Sequence, residues 1–124
     1  MENNPGKILI IDDSNTNLVL LQAILQKHGF ETITANCAKQ AYLLLEEPKP
    51  SLILLDLLMP EISGFEFLET LKMNTRTADI PVIVISALTD NDNVSIIQNL
   101  GAIEYIKKPI DIQSLISSIK NILS

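Results

Sequence analysis

Three runs of uninterrupted apolar residues constrain this chain most: I-L-I-I over 8–11, L-I-L-L over 52–55 and V-I-V-I over 82–85. A strand with one wet face alternates in polarity, whereas a run that is apolar throughout is buried on both faces. The first run ends in Asp12-Asp13, the second in Asp56 and the third in Ser86-Ala87. Two more segments, F-E-T-I-T-A over 30–35 and I-E-Y-I-K over 103–107, read as strands too polar for a central place. They belong at the edges of a sheet, and the last of them ends in Lys108-Pro109. Pro81 opens the third apolar run, where a first residue need not donate to the ladder.

A helix follows each strand. The spacing predicts one over 15–28, capped by Ser14 or Asp13, with Leu18, Leu21, Ile24 and Leu25 on one face and Gly29 as its left-handed stop. A second, over 38–46, is ended by Pro48. Ser63 caps a third over 64–73, Glu66 completes a capping box, and Ile62 and Phe67 are spaced as a hydrophobic staple. After a polar loop over 74–80 and the V-I-V-I strand, Thr89 or Asp90 caps a fourth helix that runs to Leu100 and stops at Gly101. The last begins near Asp111 and carries the stripe Ile112, Leu115, Ile116, Ile119, Ile122 and Leu123.

Strand–helix units repeated in this way imply an α/β fold, a parallel sheet with helices on both faces and right-handed crossovers. Placing the apolar strands centrally and the polar ones at the edges selects the flavodoxin-like order 2-1-3-4-5, a (βα)5 three-layer sandwich. The 124 residues make one domain, over 7–124, behind a flexible segment over 1–6. No apolar run approaches the ~20 residues that span a bilayer, and the first residues lack a signal-peptide layout, so no membrane insertion is expected. The lone Cys37 rules out an intramolecular disulfide and suits the cytoplasm. A net charge of −6 argues against direct nucleic-acid binding over the whole domain.

In open parallel sheets ligands bind beyond the carboxyl ends of the strands, where the strand order reverses. Here that is between the first and third strands, so Asp12, Asp13, Asp56, Ser86 and Lys108 share one rim. Carboxylates ~4 Å apart repel by about 4 kcal/mol per pair at an effective dielectric of ~20. A hard divalent cation relieves this, and Mg²⁺ suits a site of few oxygen donors that is shared with a phosphate. Lys108 and Ser86 are then left to face phosphate oxygens, as a cation and a hydrogen-bond donor. Asp56 is the candidate nucleophile for an acyl phosphate. Taken singly, each has a plainer role: a helix cap for Asp12-Asp13, a loop acid for Asp56, a surface lysine for Lys108. His28 reads as a helix-end residue and Cys37 as a small, partly buried one. Val19 and Leu20 lie off the core stripe of the first helix, as ordinary exposed side chains or as a docking patch for a partner's helix.

In order and at strand ends, Asp12-Asp13, the D-x-x-M-P from Asp56 to Pro60 with Gly64, Ser86-Ala87 and Lys108-Pro109 resemble the response-regulator receiver domain of two-component signalling. The resemblance covers essentially residues 7–123. It implies that Asp56 accepts phosphate from a phosphohistidine on a sensor histidine kinase or a histidine phosphotransfer protein. It implies Mg²⁺ on Asp13, Asp56 and the backbone carbonyl of Leu58, with Asp12 acting through a metal-bound water. Ser86 and Lys108 would hold the phosphoryl oxygens, the Lys108-Pro109 bond would be cis, and Tyr105 would be the aromatic switch that turns inward as Ser86 moves. The output surface would be the fourth helix, fifth strand and fifth helix, acting on a partner or an output domain, as a monomer or a phosphorylation-dependent dimer. Such a domain promotes its own phosphorylation and dephosphorylation and is not a turnover enzyme.

Leu58 and Leu88 lie two residues after Asp56 and Ser86, where fast-dephosphorylating members of the family often carry polar side chains. Leucines there cannot orient an attacking water, so a long-lived phosphoryl group is expected. A phosphorylation-independent receiver-like interaction module is the alternative, and the complete acid set with Lys108 argues against it. A phosphatase of the haloacid dehalogenase type would need an acid where Leu58 stands. A flavin or nucleotide binder on this fold would need a glycine-rich loop after the first strand, where Asp12-Asp13 stand instead.

Overall fold

A computed structural model describes residues 7–46, 49–57, 63–87 and 91–123, with 91–93 placed by backbone alone. The elements alternate strictly: β1 (Lys7–Ile11), α1 (Asn15–Lys27), β2 (Glu31–Ala35), α2 (Ala38–Leu44), β3 (Leu52–Asp56), α3 (Gly64–Met73), β4 (Val82–Ser86), α4 (Asn91–Asn99), β5 (Glu104–Lys107) and α5 (Ile112–Leu123). All pairings are parallel, in the order β2-β1-β3-β4-β5, as the strand compositions require. Every residue of β3 and β4 is buried, whereas β5 has none buried and β2 only Ala35. Polar side chains on the edge strands also blunt edge-to-edge pairing.

Side chains alternate across the sheet and so divide the core in two. Ile8, Ile10, Leu52, Leu54, Ile83 and Ile85 pack against Leu18, Leu21 and Leu25 of α1 and Leu115, Ile116 and Ile119 of α5. Leu9, Ile11, Ile53, Leu55, Val82 and Val84 pack against α2, Phe67, Leu68 and Leu71 of α3, and Ile97 of α4. Phe67 is fully buried and lies with its ring 4.8 Å from that of Tyr42.

The helix ends follow local chemistry. Ser14, not Asp13, caps α1: its Oγ accepts from the Asn17 amide at 3.3 Å. Ser63 Oγ accepts from the Glu66 amide at 3.2 Å. Asp111 Oδ1 accepts from the amides of Gln113 and Ser114. Gly29 and Gly101 stop their helices at φ of 90° and 109°. Helix α2 ends at Leu44, short of the expected 46. Ile112 departs from the expected core stripe: it is 44% exposed and lines an open cleft. The expected contributions of Pro48, Ile62, Thr89 and Asp90 lie outside the described residues, as do residues 1–6. Among the described residues no helix is long and apolar enough to cross a membrane.

One lysine ties three segments together. Lys72 Nζ donates to the carbonyls of Ala78 and Ile80 at 3.0 and 2.8 Å, closing the loop that feeds β4. Its stem lies so close to Gly101 that a Cβ there would meet Cγ at 3.0 Å. Lys72→Met is expected to lower stability by about 1–3 kcal/mol, as two carbonyls lose a charged donor; a urea titration with an unchanged m value would show it. Burial holds the Lys72 ammonium below the usual lysine value of 10.5. Between its folded and unfolded pKa values the unfolded chain binds more protons, so this residue's contribution improves as pH rises towards 10.5. The variant should lack that alkaline gain.

Candidate functional site

The register builds the site. Ile11 pairs with Leu55, so the next residues, Asp12 and Asp56, leave adjacent central strands side by side. By alternation both continue the faces of Ile8, Ile10, Leu52 and Leu54, towards the layer of α1 and α5. Asp12 is 3% exposed and Asp56 6% exposed, while Asp13 is open to solvent. Carboxylate oxygens of Asp12, Asp13 and Asp56 lie within 4.8 Å of one another.

Lys108 stands over the two buried acids. Its amide continues the β4–β5 pairing by donating to the Ser86 carbonyl at 2.9 Å, and the Lys108-Pro109 bond is cis. Its Nζ is 3.9 Å from Asp56 Oδ1 and 4.0 Å from Asp12 Oδ2. At these distances the ammonium is shared between the acids and bonded tightly to neither. Three carboxylates and one ammonium leave two negative charges uncompensated, the charge of one divalent cation. The donors are hard oxygens, the kind that Mg²⁺ or Ca²⁺ takes.

Ser86 is fully buried at the end of β4. It continues the faces of Val82 and Val84, so it points to the opposite layer from Asp56, the layer of α4. Tyr105, opposite Val84 in β5, is half-buried against that same layer. The five rim residues therefore converge on one sheet end from two sides. Leu58, with the carbonyl expected to bind metal, and Leu88 lie outside the described residues.

Two further residues shape the site. Asn17 was not legible as a site residue. Its Nδ2 donates to Asp12 Oδ2 at 3.3 Å, while the Ser14 amide donates to Oδ1 at 2.9 Å. The available signal was a polar side chain in the first turn of α1, off the Leu18–Leu21–Leu25 stripe. Gly64 donates its amide to the Leu57 carbonyl at 2.8 Å and leaves no room for a Cβ, which would sit 2.5 Å from Leu57 Cα and 3.0 Å from the Asp56 carbonyl oxygen. Cys37 is half-buried at the start of α2, and His28 is exposed with Nδ1 2.9 Å from the Ile24 carbonyl, its place at a helix end. Val19 and Leu20 are 66% and 57% exposed.

Between α1 and the segment joining β5 to α5 runs a cleft of about 380 Å³. Asp12, Asn17, Asp56 and Lys108 line one part, and aliphatic side chains line the rest.

The comparisons bear on the family and the fold. The family profile of the response regulator receiver domain matches residues 8–120. Protein PilH of Pseudomonas aeruginosa is 32% identical over 119 residues, covering 96% of this chain and 98% of that protein. The phosphate regulon transcriptional regulatory protein PhoB of the same organism is 35% identical over 94% of this chain, but over only 51% of its own length. The crystal structure of the signal receiver domain of a signal transduction histidine kinase from Syntrophus aciditrophicus superposes with a TM-score of 0.87 at 35% identity, covering 95% of this chain and 89% of that one. With its strand order, its rim of acids and these matches together, the chain belongs to the response regulator receiver domain family, a signalling module of two-component systems.

Proposed function

We propose that this receiver accepts a phosphoryl group on Asp56 from a phosphohistidine donor and responds by switching its α4–β5–α5 surface. The observation that carries this is the placement of Lys108 3.9 Å from a 6%-exposed Asp56 whose neighbours are two further acids. The Asp56 carboxylate forms the new P–O bond as the P–N bond to the donor imidazole breaks, and the electron pair leaves on nitrogen. Asp13, Asp56 and the Leu58 carbonyl would hold Mg²⁺, and Asp12, braced by Ser14 and Asn17, would act through a metal-bound water. When bound, Mg²⁺ neutralises charge between the incoming phosphate and the acids. Lys108 binds the phosphoryl oxygens from the β5 end and Ser86 donates its hydroxyl from the β4 end.

The donor, a sensor histidine kinase or a phosphotransfer protein, would dock on the exposed Val19 and Leu20 beside the rim. Tyr105 would turn inward as Ser86 engages the phosphate, so that phosphate biases a two-state element by binding one state better. The single half-buried cysteine suits work in the reducing cytoplasm.

The test is intact mass after incubation with Mg²⁺ and acetyl phosphate, with Asp56→Asn alongside. One added phosphoryl group, dependent on Mg²⁺ and absent from the variant, is expected. No gain, together with no response to beryllofluoride, would replace this reading with a phosphorylation-independent interaction module. Mg²⁺ alone should raise the melting temperature: at 100 times its Kd it adds about 2.7 kcal/mol. Asp13→Asn should lose most of that increment in a thermal melt. Leu58 and Leu88 imply slow water attack, so the phosphoryl group should persist for minutes or longer; release within seconds would contradict this.

A further inference from the structure

Hard carboxylate oxygens suit Mg²⁺ and Ca²⁺ alike. Resting on the metal site proposed above, we infer that Asn17 makes the choice between them: it pins the Asp12 carboxylate and thereby selects Mg²⁺. Asp12 is 3% exposed and is held on both oxygens. Its Oδ1 accepts from the Ser14 amide at 2.9 Å, and its Oδ2 accepts from Asn17 Nδ2 at 3.3 Å. The last torsion of an aspartate is soft, so a single bond leaves the carboxylate able to turn. One bond on each oxygen fixes that rotation.

The Asn17 side chain is not spent on its own helix. Asn17 is the third residue of α1, and its amide donates to the capping hydroxyl of Ser14. In a capping box the side chain at that position accepts from the amide of the cap residue. Here Asp12 Oδ1 takes the Ser14 amide, and Asn17 donates to the other oxygen instead. A glutamate would suit the box, but it would set a fourth carboxylate beside Asp12, Asp13 and Asp56, whose oxygens already lie within 4.8 Å of one another. Lys108 does not duplicate the contact, since its Nζ is 4.0 Å from the same Oδ2, beyond hydrogen-bond reach.

Selectivity between the two cations turns on ligand number and flexibility. Ca²⁺ takes roughly six to eight oxygens in adaptable geometry, often both oxygens of one carboxylate. Mg²⁺ demands near-octahedral order and keeps several of its waters. A carboxylate that cannot turn is a poor adaptable ligand, but it is a well-placed acceptor for a metal-bound water. Asn17 is thus a positioning residue, acting on the cation through Asp12.

The experiment titrates Mg²⁺ and Ca²⁺ separately into the full chain by isothermal calorimetry, with no phosphodonor, and reads the ratio of the two dissociation constants. The unaltered chain should bind Mg²⁺ more tightly than Ca²⁺. Asn17→Leu keeps the size and removes the donor. It should weaken Mg²⁺ about tenfold, at the low end for residues that orient a metal ligand, and leave Ca²⁺ within about twofold. Asn17→Asp removes the donor and adds an oxygen ligand, so Ca²⁺ should gain on Mg²⁺ further still. Partial unfolding of either variant weakens both cations alike and cancels in the ratio. A ratio unmoved by both substitutions would overturn the assignment, leave Asn17 as a structural brace and leave the metal site standing. An unaltered chain that prefers Ca²⁺ would overturn it equally. Binding of neither cation by the unaltered chain would remove the metal site itself, and the selectivity with it.

Discussion

Lys108→Met should slow phosphorylation of Asp56 by a factor of about 10² to 10³ and, in the same protein, tighten Mg²⁺ binding. The two effects have opposite signs because one ammonium serves two partners. Its Nζ lies 3.9 Å from Asp56 and 4.0 Å from Asp12, so it offsets part of the charge that would attract a metal before any phosphate arrived. Removing it leaves all three acids to the cation, and a gain of about tenfold in Mg²⁺ affinity is modest against a pair interaction of about 4 kcal/mol at 4 Å and an effective dielectric of ~20. Phosphoryl transfer loses its fixed positive charge and slows. Without metal the variant should also be less stable, since two buried carboxylates lose a nearby counter-charge. Isothermal titration with Mg²⁺, a labelling time course and a urea titration would read the three quantities separately. A Lys108→Met protein that bound Mg²⁺ more weakly would show that the ammonium orders the acids more than it competes for them.

Gly64→Ala should cost about 2–3 kcal/mol of stability and slow labelling of Asp56, a large effect for one methyl group. The added Cβ would lie 2.5 Å from Leu57 Cα and 3.0 Å from the Asp56 carbonyl oxygen, both backbone atoms, besides 2.9 Å from the Leu57 side chain. A flexible side chain could swing away, but a strand end hydrogen-bonded into the sheet cannot. Either the Gly64 amide gives up its 2.8 Å bond to the Leu57 carbonyl, or β3 shifts and carries Asp56 with it. A lowered urea midpoint with slower labelling, and Mg²⁺ affinity reduced in step, would fit the second response. A destabilised protein with normal labelling would fit the first.

The sheet was legible because its signal is local. Apolar runs over 8–11, 52–55 and 82–85 can only be central strands, and the polar 30–35 and 103–107 can only be edges, so strand order followed from composition. The rim was legible because strand ends are where a parallel sheet presents side chains, and Asp12, Asp56 and Ser86 each close an apolar run. What stayed hidden depends on contacts between distant segments. The cleft exists because Leu20 on α1 faces Ile112 across the sheet rim, and nothing within either helix announces that. Ile112 even obeys the spacing of a core residue, since periodicity reports a helix face but not where the neighbouring layer stops. The Lys72 bonds to Ala78 and Ile80 and the Asn17 bond to Asp12 are likewise products of chain reversal. Polar residues in such places look like ordinary surface until the loops are closed.

The alternation along β3 and β4 has a last consequence. The two hydrophobic clusters have no buried residue in common, so the sheet works as a partition between compartments that can accumulate substitutions independently. Asp56 opens into one compartment and Ser86 into the other, one strand apart at the same edge of the wall. Under the proposed function, a phosphoryl donor would meet the α1 side, and a response carried through Ser86 would be read from the α4 side. A lineage could therefore change its donor without disturbing its reader, and the converse, with the wall between them left intact.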